Sequence, residues 1–81
     1  MYLEIITPDT NIFAGEVVSA TFPGKKGSFQ VLKNHAAIIS TLEAGTIKYK
    51  TAQGETSLEI TGGVVEVLKD NIQVLVEGLK K

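Results

Sequence analysis

The side chains with the means to do chemistry gather in one short stretch. Gly24-Lys25-Lys26-Gly27-Ser28 is followed closely by Asn34 and His35, the only histidine of the chain. Glycines beside lysine and serine could cradle a phosphate, and a histidine could serve as a base or a metal ligand. A phosphate loop, however, needs wider spacing between its glycines and a helix after its lysine, because helix N-terminal amides help hold the anion. Only Lys25 and Lys26 stand between Gly24 and Gly27, and Phe29 and Val31 then alternate as in a strand. A catalytic histidine needs a nucleophile and an orienting acid, and a metal site needs further ligands. Lys33, Asn34 and Ser28 supply neither. His35 therefore reads as a structural histidine whose ring ties its turn to nearby backbone, or as a partner contact. Glu4, Glu16, Glu43, Glu55, Glu59, Glu66 and Glu77 lie on separate segments and form no acid–base pair. No catalytic residue, cofactor site or metal site is expected. The stretch reads as the irregular edge of a sheet scaffold, which points to a contact surface.

The elements around it are strands. Leu3 and Ile5 alternate with Glu4, and Thr7-Pro8-Asp9-Thr10-Asn11 ends that run with turn residues. Val18, Ala20 and Phe22 share one face of a second strand, Phe29 and Val31 mark a third, and Ile38-Ile39 opens a fourth that ends near Gly45. A two-residue turn at Gln53-Gly54 would set Tyr49 opposite Leu58 and Lys48 opposite Glu59. A second such turn at Asp70-Asn71 would pair Val67 with Val74 and Val65 with Val76. The opposite face of that hairpin then carries Leu68 and Leu75, an apolar outer surface that something should cover. Gly62-Gly63 interrupts a strand and marks a bulge, a sharp bend, or close approach by another backbone. No segment has a helical stripe. Short strands at regular spacing predict an all-β fold, a small antiparallel β-sandwich of two packed sheets. Its expected core includes Leu3, Ile5, Val18, Phe22, Ile47, Tyr49, Leu58, Ile60, Val65, Val67, Val74 and Val76.

Composition narrows the function classes. The chain has 81 residues, enough for one domain over 1–81, and no cysteine, so neither disulfide nor thiolate metal site reinforces the core. A formal net charge of −1 with interspersed signs argues against a nucleic-acid binder. No apolar run approaches bilayer length.

In order along the chain stand Leu3-Glu-Ile-Ile-Thr-Pro-Asp9, Phe13-Ala-Gly-Glu-Val17, Pro23-Gly24, Gly27-Ser-Phe-Gln-Val-Leu32, Asn34-His-Ala36, Leu42 with Gly45, Ile60-Thr-Gly-Gly63 and Glu66-Val67. Together they resemble the N-terminal β-sandwich domain of the ATP synthase epsilon subunit, over essentially the whole chain. Two positions depart from the family pattern. Ala37 stands where proline is usual, which leaves that turn less rigidly fixed. Ser28 stands where an acid is common, so no charge-mediated contact is expected there.

The resemblance implies a central-stalk subunit of the proton-translocating F-type ATP synthase, set beside the gamma subunit and on the c-ring. Such a subunit helps gamma carry torque and has no catalytic residue of its own. It implies ring-facing turns at Gly24, Lys25, Lys26, Gly27 and Ser28 and at Asn34 and His35, with Leu68 and Leu75 toward gamma. It implies a peripheral place on the cytoplasmic face of the bacterial inner membrane, reached only through the complex. The expected last strand leaves only Gly78-Leu-Lys-Lys81 after it, so a chain without the family's C-terminal helical hairpin is expected, either as a short form or because the chain was cut there, with no ATP binding by this chain. The rival is a lipoyl- or biotinyl-type carrier domain. It would present one modified lysine at a hairpin tip flanked by methionine or small apolar residues, and Met1 is the only methionine.

Overall fold

Alternate residues of a strand point to opposite faces, and the apolar–polar alternation of the sequence is read out in that way. The computed structural model describes residues 1–80, and all its regular elements are strands. They are β1 (Tyr2–Ile6), β2 (Asn11–Glu16), β3 (Ser19–Gly24), β4 (Gly27–Val31), β5 (Ile38–Leu42), β6 (Gly45–Thr51), β7 (Gly54–Leu68) and β8 (Asn71–Leu79). The hydrogen-bonded order is β2-β1-β8-β7-β5-β3-β4, with β6 between β3 and β7. One layer consists of β2, β1, β8, the C-terminal part of β7, and β5. The other consists of β4, β3, β6 and the N-terminal part of β7. Leu3, Ile5, Val65, Ile72, Val74 and Val76 come inward from the first layer, and Phe22, Val31, Ile47 and Ile60 from the second; all are buried. Across the gap, the rings of Phe13 and Tyr49 sit 4.4 Å apart, close enough for favourable aromatic contact.

Three places join the layers into one ladder. Val17 donates its amide to Met1 O at 2.8 Å and Val18 donates to Lys50 O at 2.7 Å, so the chain changes layer between adjacent valines. At the second, the long strand β7 bends at Gly62-Gly63, where the pairing with β8 shifts register on both sides of Gly62. The expected bulge is there, and its reason is steric: a Cβ on Gly63 would collide with the Leu75 carbonyl oxygen. At the third, Gly24 pairs with Leu42, and Glu43 donates to Pro23 O at 2.9 Å.

Several expectations need correction. Val18 is 60% exposed and Val17 is buried in its place, because the layer change interrupts the alternation just before β3. Leu58 is only half-buried, while Ala20, Val31, Leu42 and Ile72 join the core. β2 is a strand of its own; Ile12 and Phe13 are consecutive half-buried residues on a sheet edge, so it carries no alternation to read. β1 and β8 pair in parallel, with Leu3 opposite Ile72 and Ile5 opposite Val74, an exception to the antiparallel rule of the other ladders.

Both hairpins turn one residue earlier than expected. Tyr49 faces Thr56 and Ile47 faces Leu58, which places the turn at Ala52-Gln53. Val65 faces Val74, Val67 faces Ile72 and Gly63 faces Val76, which places the other turn at Lys69-Asp70. Lys69 and Asp70 both take positive φ, 49° and 63°, the backbone of the mirror-image turn that matches strand twist. Each pairing slips by two residues, an even number, so every side chain keeps its face.

Candidate functional site

Once one face of the first layer is committed to the core, the strand period leaves its alternate residues outside. The registers then arrange them in rows. Ile6 lies beside Leu75, and Leu75 beside Val64, giving an apolar row across β1, β8 and β7. The next row runs Glu4, Gln73, Glu66 and Ile39, and the one after it runs Tyr2, Asn71 and Leu68. A shallow groove of about 280 Å³ follows the first two rows. Ile39 is 72% exposed, Leu68 53% and Leu75 46%, so this face presents separate apolar knobs around an acidic strip.

Leu68 and Leu75 thus share the outer face expected of them, but they are not neighbours. Leu68 pairs with Asn71 and Leu75 with Val64, and the row of Glu66 and Gln73 runs between them. Sequence reading missed Ile6, Val64 and Ile39 as members of this surface. The signal was present in the doubled apolar pairs Ile5-Ile6, Val64-Val65 and Ile38-Ile39. In a strand such a pair must turn one member outward. The proximity of Glu4 to Glu66 across Gln73 comes from the parallel β1–β8 pairing, which no local pattern announces.

The turn residues sit on the border of the same layer. Gly24 faces Gly27 across the base of the β3–β4 hairpin, and Lys25 and Lys26 form its exposed tip. Gly27 has φ of 122°, a conformation other residues rarely adopt, and a Cβ on Gly24 would press on Gly27 O and the Phe29 ring. Both glycines are therefore required by the turn itself. Lys25 donates its amide to Thr41 O at 3.1 Å, which fastens the tip to β5. Ser28 is exposed opposite Pro23. The segment continues into strand β4, so the geometry of a phosphate loop is not formed.

Asn34 and His35 belong to a turn closed by the His35 amide donating to Leu32 O at 3.1 Å. The His35 ring lies with Nδ1 2.7 Å from the Ala36 carbonyl oxygen. A carbonyl only accepts, so Nδ1 carries the proton and the ring is tied to adjacent backbone. The two turns approach β5 from opposite ends: this one leads into Ile38, while the lysine tip grips Thr41 and Leu42. Residues Gly24–Ser28 line a second open groove with Ile38–Thr41, and Ile39 also borders Leu68, so the lysine tip and the apolar face are continuous. Among the described residues no three of His, Cys, Asp and Glu come together as metal ligands would. The surface offers shape, apolar contact and scattered charge, the means of docking.

A two-layer strand fold of this kind, with its exposed sheet face and hairpin rim, defines a class before it defines a protein. The family described as ATP synthase, Delta/Epsilon chain, beta-sandwich domain matches residues 1–81, and the chain belongs to that family. It is 47% identical over 77 residues to the ATP synthase epsilon chain of Sulfurimonas denitrificans, covering 94% of this chain and 59% of that one. Against the epsilon chain of a Nitratiruptor species the identity is 44% over 77 residues, covering 94% and 60%. The chain thus spans about three fifths of the length of these relatives. A chain in the mitochondrial ATP synthase of Euglena gracilis has the same fold, with a TM-score of 0.84 at 22% identity, covering 91% of this chain and 48% of that one.

Proposed function

We propose that this domain serves in the central stalk of a proton-translocating F-type ATP synthase, where it fastens the gamma subunit to the c-ring. Its membership of the epsilon-type sandwich family carries the reading, and the exposed outer face gives it a physical form. In this reading gamma covers the outer face of β1, β8, β7 and β5. Ile6, Leu75 and Val64 supply the apolar contact, and Glu4 and Glu66 fix the register. The c-ring meets the turns at Gly24–Ser28 and at Asn34-His35. The domain transmits force and does no chemistry of its own. A ladder that runs unbroken through both layers suits that task, because shear on one face is shared by every strand. The complex would hold it at the cytoplasmic face of a bacterial inner membrane. Among the described residues no helix is long and apolar enough to cross a membrane.

The lysine tip tests the ring-facing half of this reading. Lys25 and Lys26 are exposed, and exposed charges add little to stability. Changing both to glutamate in the full-length subunit should leave the melting temperature within about 2 °C. It should lower the variant's share of assembled synthase several-fold in competition with wild type. An equal share, with proton pumping fully coupled, removes this turn from the docking surface.

A further inference from the structure

We propose that Asp70 is the positioning residue of the His35 turn, a clamp that sets its place relative to the sheet. Three segments meet at this half-buried residue. Its own backbone, at φ 63°, makes the β7–β8 turn. Its carbonyl oxygen accepts the Tyr2 amide at 2.9 Å, which holds the start of β1. Its carboxylate oxygen Oδ1 accepts the Asn34 amide at 3.1 Å, across 36 positions of chain.

Asn34 occupies the third position of the turn from Leu32 to His35, at a φ of 67° that asparagine tolerates by itself, so what the turn lacks is a tie to the sheet. The turn is otherwise closed by one backbone bond of its own, His35 N to Leu32 O, and the His35 ring bonds only to the next residue, Ala36. Neither bond reaches the sheet. The Asp70 carboxylate does, and a charged acceptor makes a stronger bond than a neutral one. The neighbouring Asn71 side chain donates to Lys69 O and stays within its own hairpin, so it leaves the Asn34 contact to Asp70. The conformation of the Asn34-His35 turn is therefore set by a hairpin far away in sequence. That this turn faces a partner rests on the function proposed above; the clamp itself does not.

Amide hydrogen exchange in the full-length subunit separates the two. D70G removes the carboxylate while glycine accepts positive φ without strain. D70N keeps an oxygen acceptor without the charge and tolerates the same backbone. The Asn34 amide should exchange about tenfold faster in D70G than in wild type, with D70N between them. The paired core residues Val65 and Val74 should keep their protection. An Asn34 rate in D70G within about twofold of wild type overturns the clamp, as does a D70N rate equal to that of D70G. Competition of D70G with wild type for assembly reads the docking role separately. A depleted share supports it, whereas an equal share beside a loosened Asn34 keeps the clamp and takes the turn out of the interface.

Discussion

Gly63→Ala is expected to destabilise the domain by roughly 3 kcal/mol or more, the cost of forcing bulk into a packed backbone crossing. Gly63 lies in β7 between Leu42 of β5 and Val76 of β8. An added Cβ would run into the Leu75 carbonyl oxygen and come within 3.1 Å of the Val76 Cα. Both obstacles are backbone, so relief requires moving β8 away from β7 at the bend where β7 changes layers. A domain of this size has only about 4–12 kcal/mol in hand. With a urea slope of about 1 kcal/mol/M, the unfolding midpoint should fall by roughly 3 M. Gly54→Ala is the informative companion. Gly54 has φ of 132° with nothing within 4 Å of its absent Cβ, so only backbone strain opposes that change, about 1–3 kcal/mol. If G63A moves the midpoint no more than G54A, close approach is not what the second glycine of Gly62-Gly63 is for.

Leu75→Lys should leave the folded domain nearly as stable as before and remove it from the synthase. On the free domain the side chain is 46% exposed, so a lysine can keep its water there. Beneath gamma the same charge would lose its water against the apolar contact of Ile6 and Val64, at a cost of about 3–5 kcal/mol, which is roughly 100- to 5,000-fold in affinity. Competition with wild type for assembly, read by mass spectrometry of the purified complex, should show the variant almost absent. Ser57→Glu on the outer face of the other layer, opposite Lys48, should compete equally. Equal incorporation of both variants would place gamma elsewhere.

The faces of the strands were legible in the sequence because a period of two is insensitive to small errors. The turn of each hairpin was misplaced by one residue, yet Val65, Val67, Val74 and Val76 all face the core, since an even slip preserves facing. What escaped were features set by tertiary context. Val18 follows the alternation of β3 but lies at the corner where the chain changes layer, and its amide goes to Lys50 instead. The parallel contact of β1 with β8 joins the two ends of the chain, and local periodicity carries no trace of it. The outer face was half visible: Leu68 and Leu75 stand out of the β7–β8 pattern, whereas Ile6 and Glu4 join them only through that parallel pairing. Lys25, Lys26 and His35 were legible as turn residues from their glycine and asparagine neighbours. The bond that ties Asn34 to Asp70 was not, because nothing in either turn points to the other.

The absence of cysteine from the sequence allows the central claim to be measured site by site. A single cysteine placed at Leu75, and separately at Ser57, can be labelled with a maleimide in the free subunit and in the assembled synthase. Docking of the outer β1–β8–β7–β5 face predicts labelling at position 75 at least about tenfold slower after assembly, as expected for a site buried under a partner. Labelling at position 57 should change by less than about twofold, as expected for a site that stays in water. Unchanged labelling at position 75, or protection that appears at position 57 instead, would contradict the account.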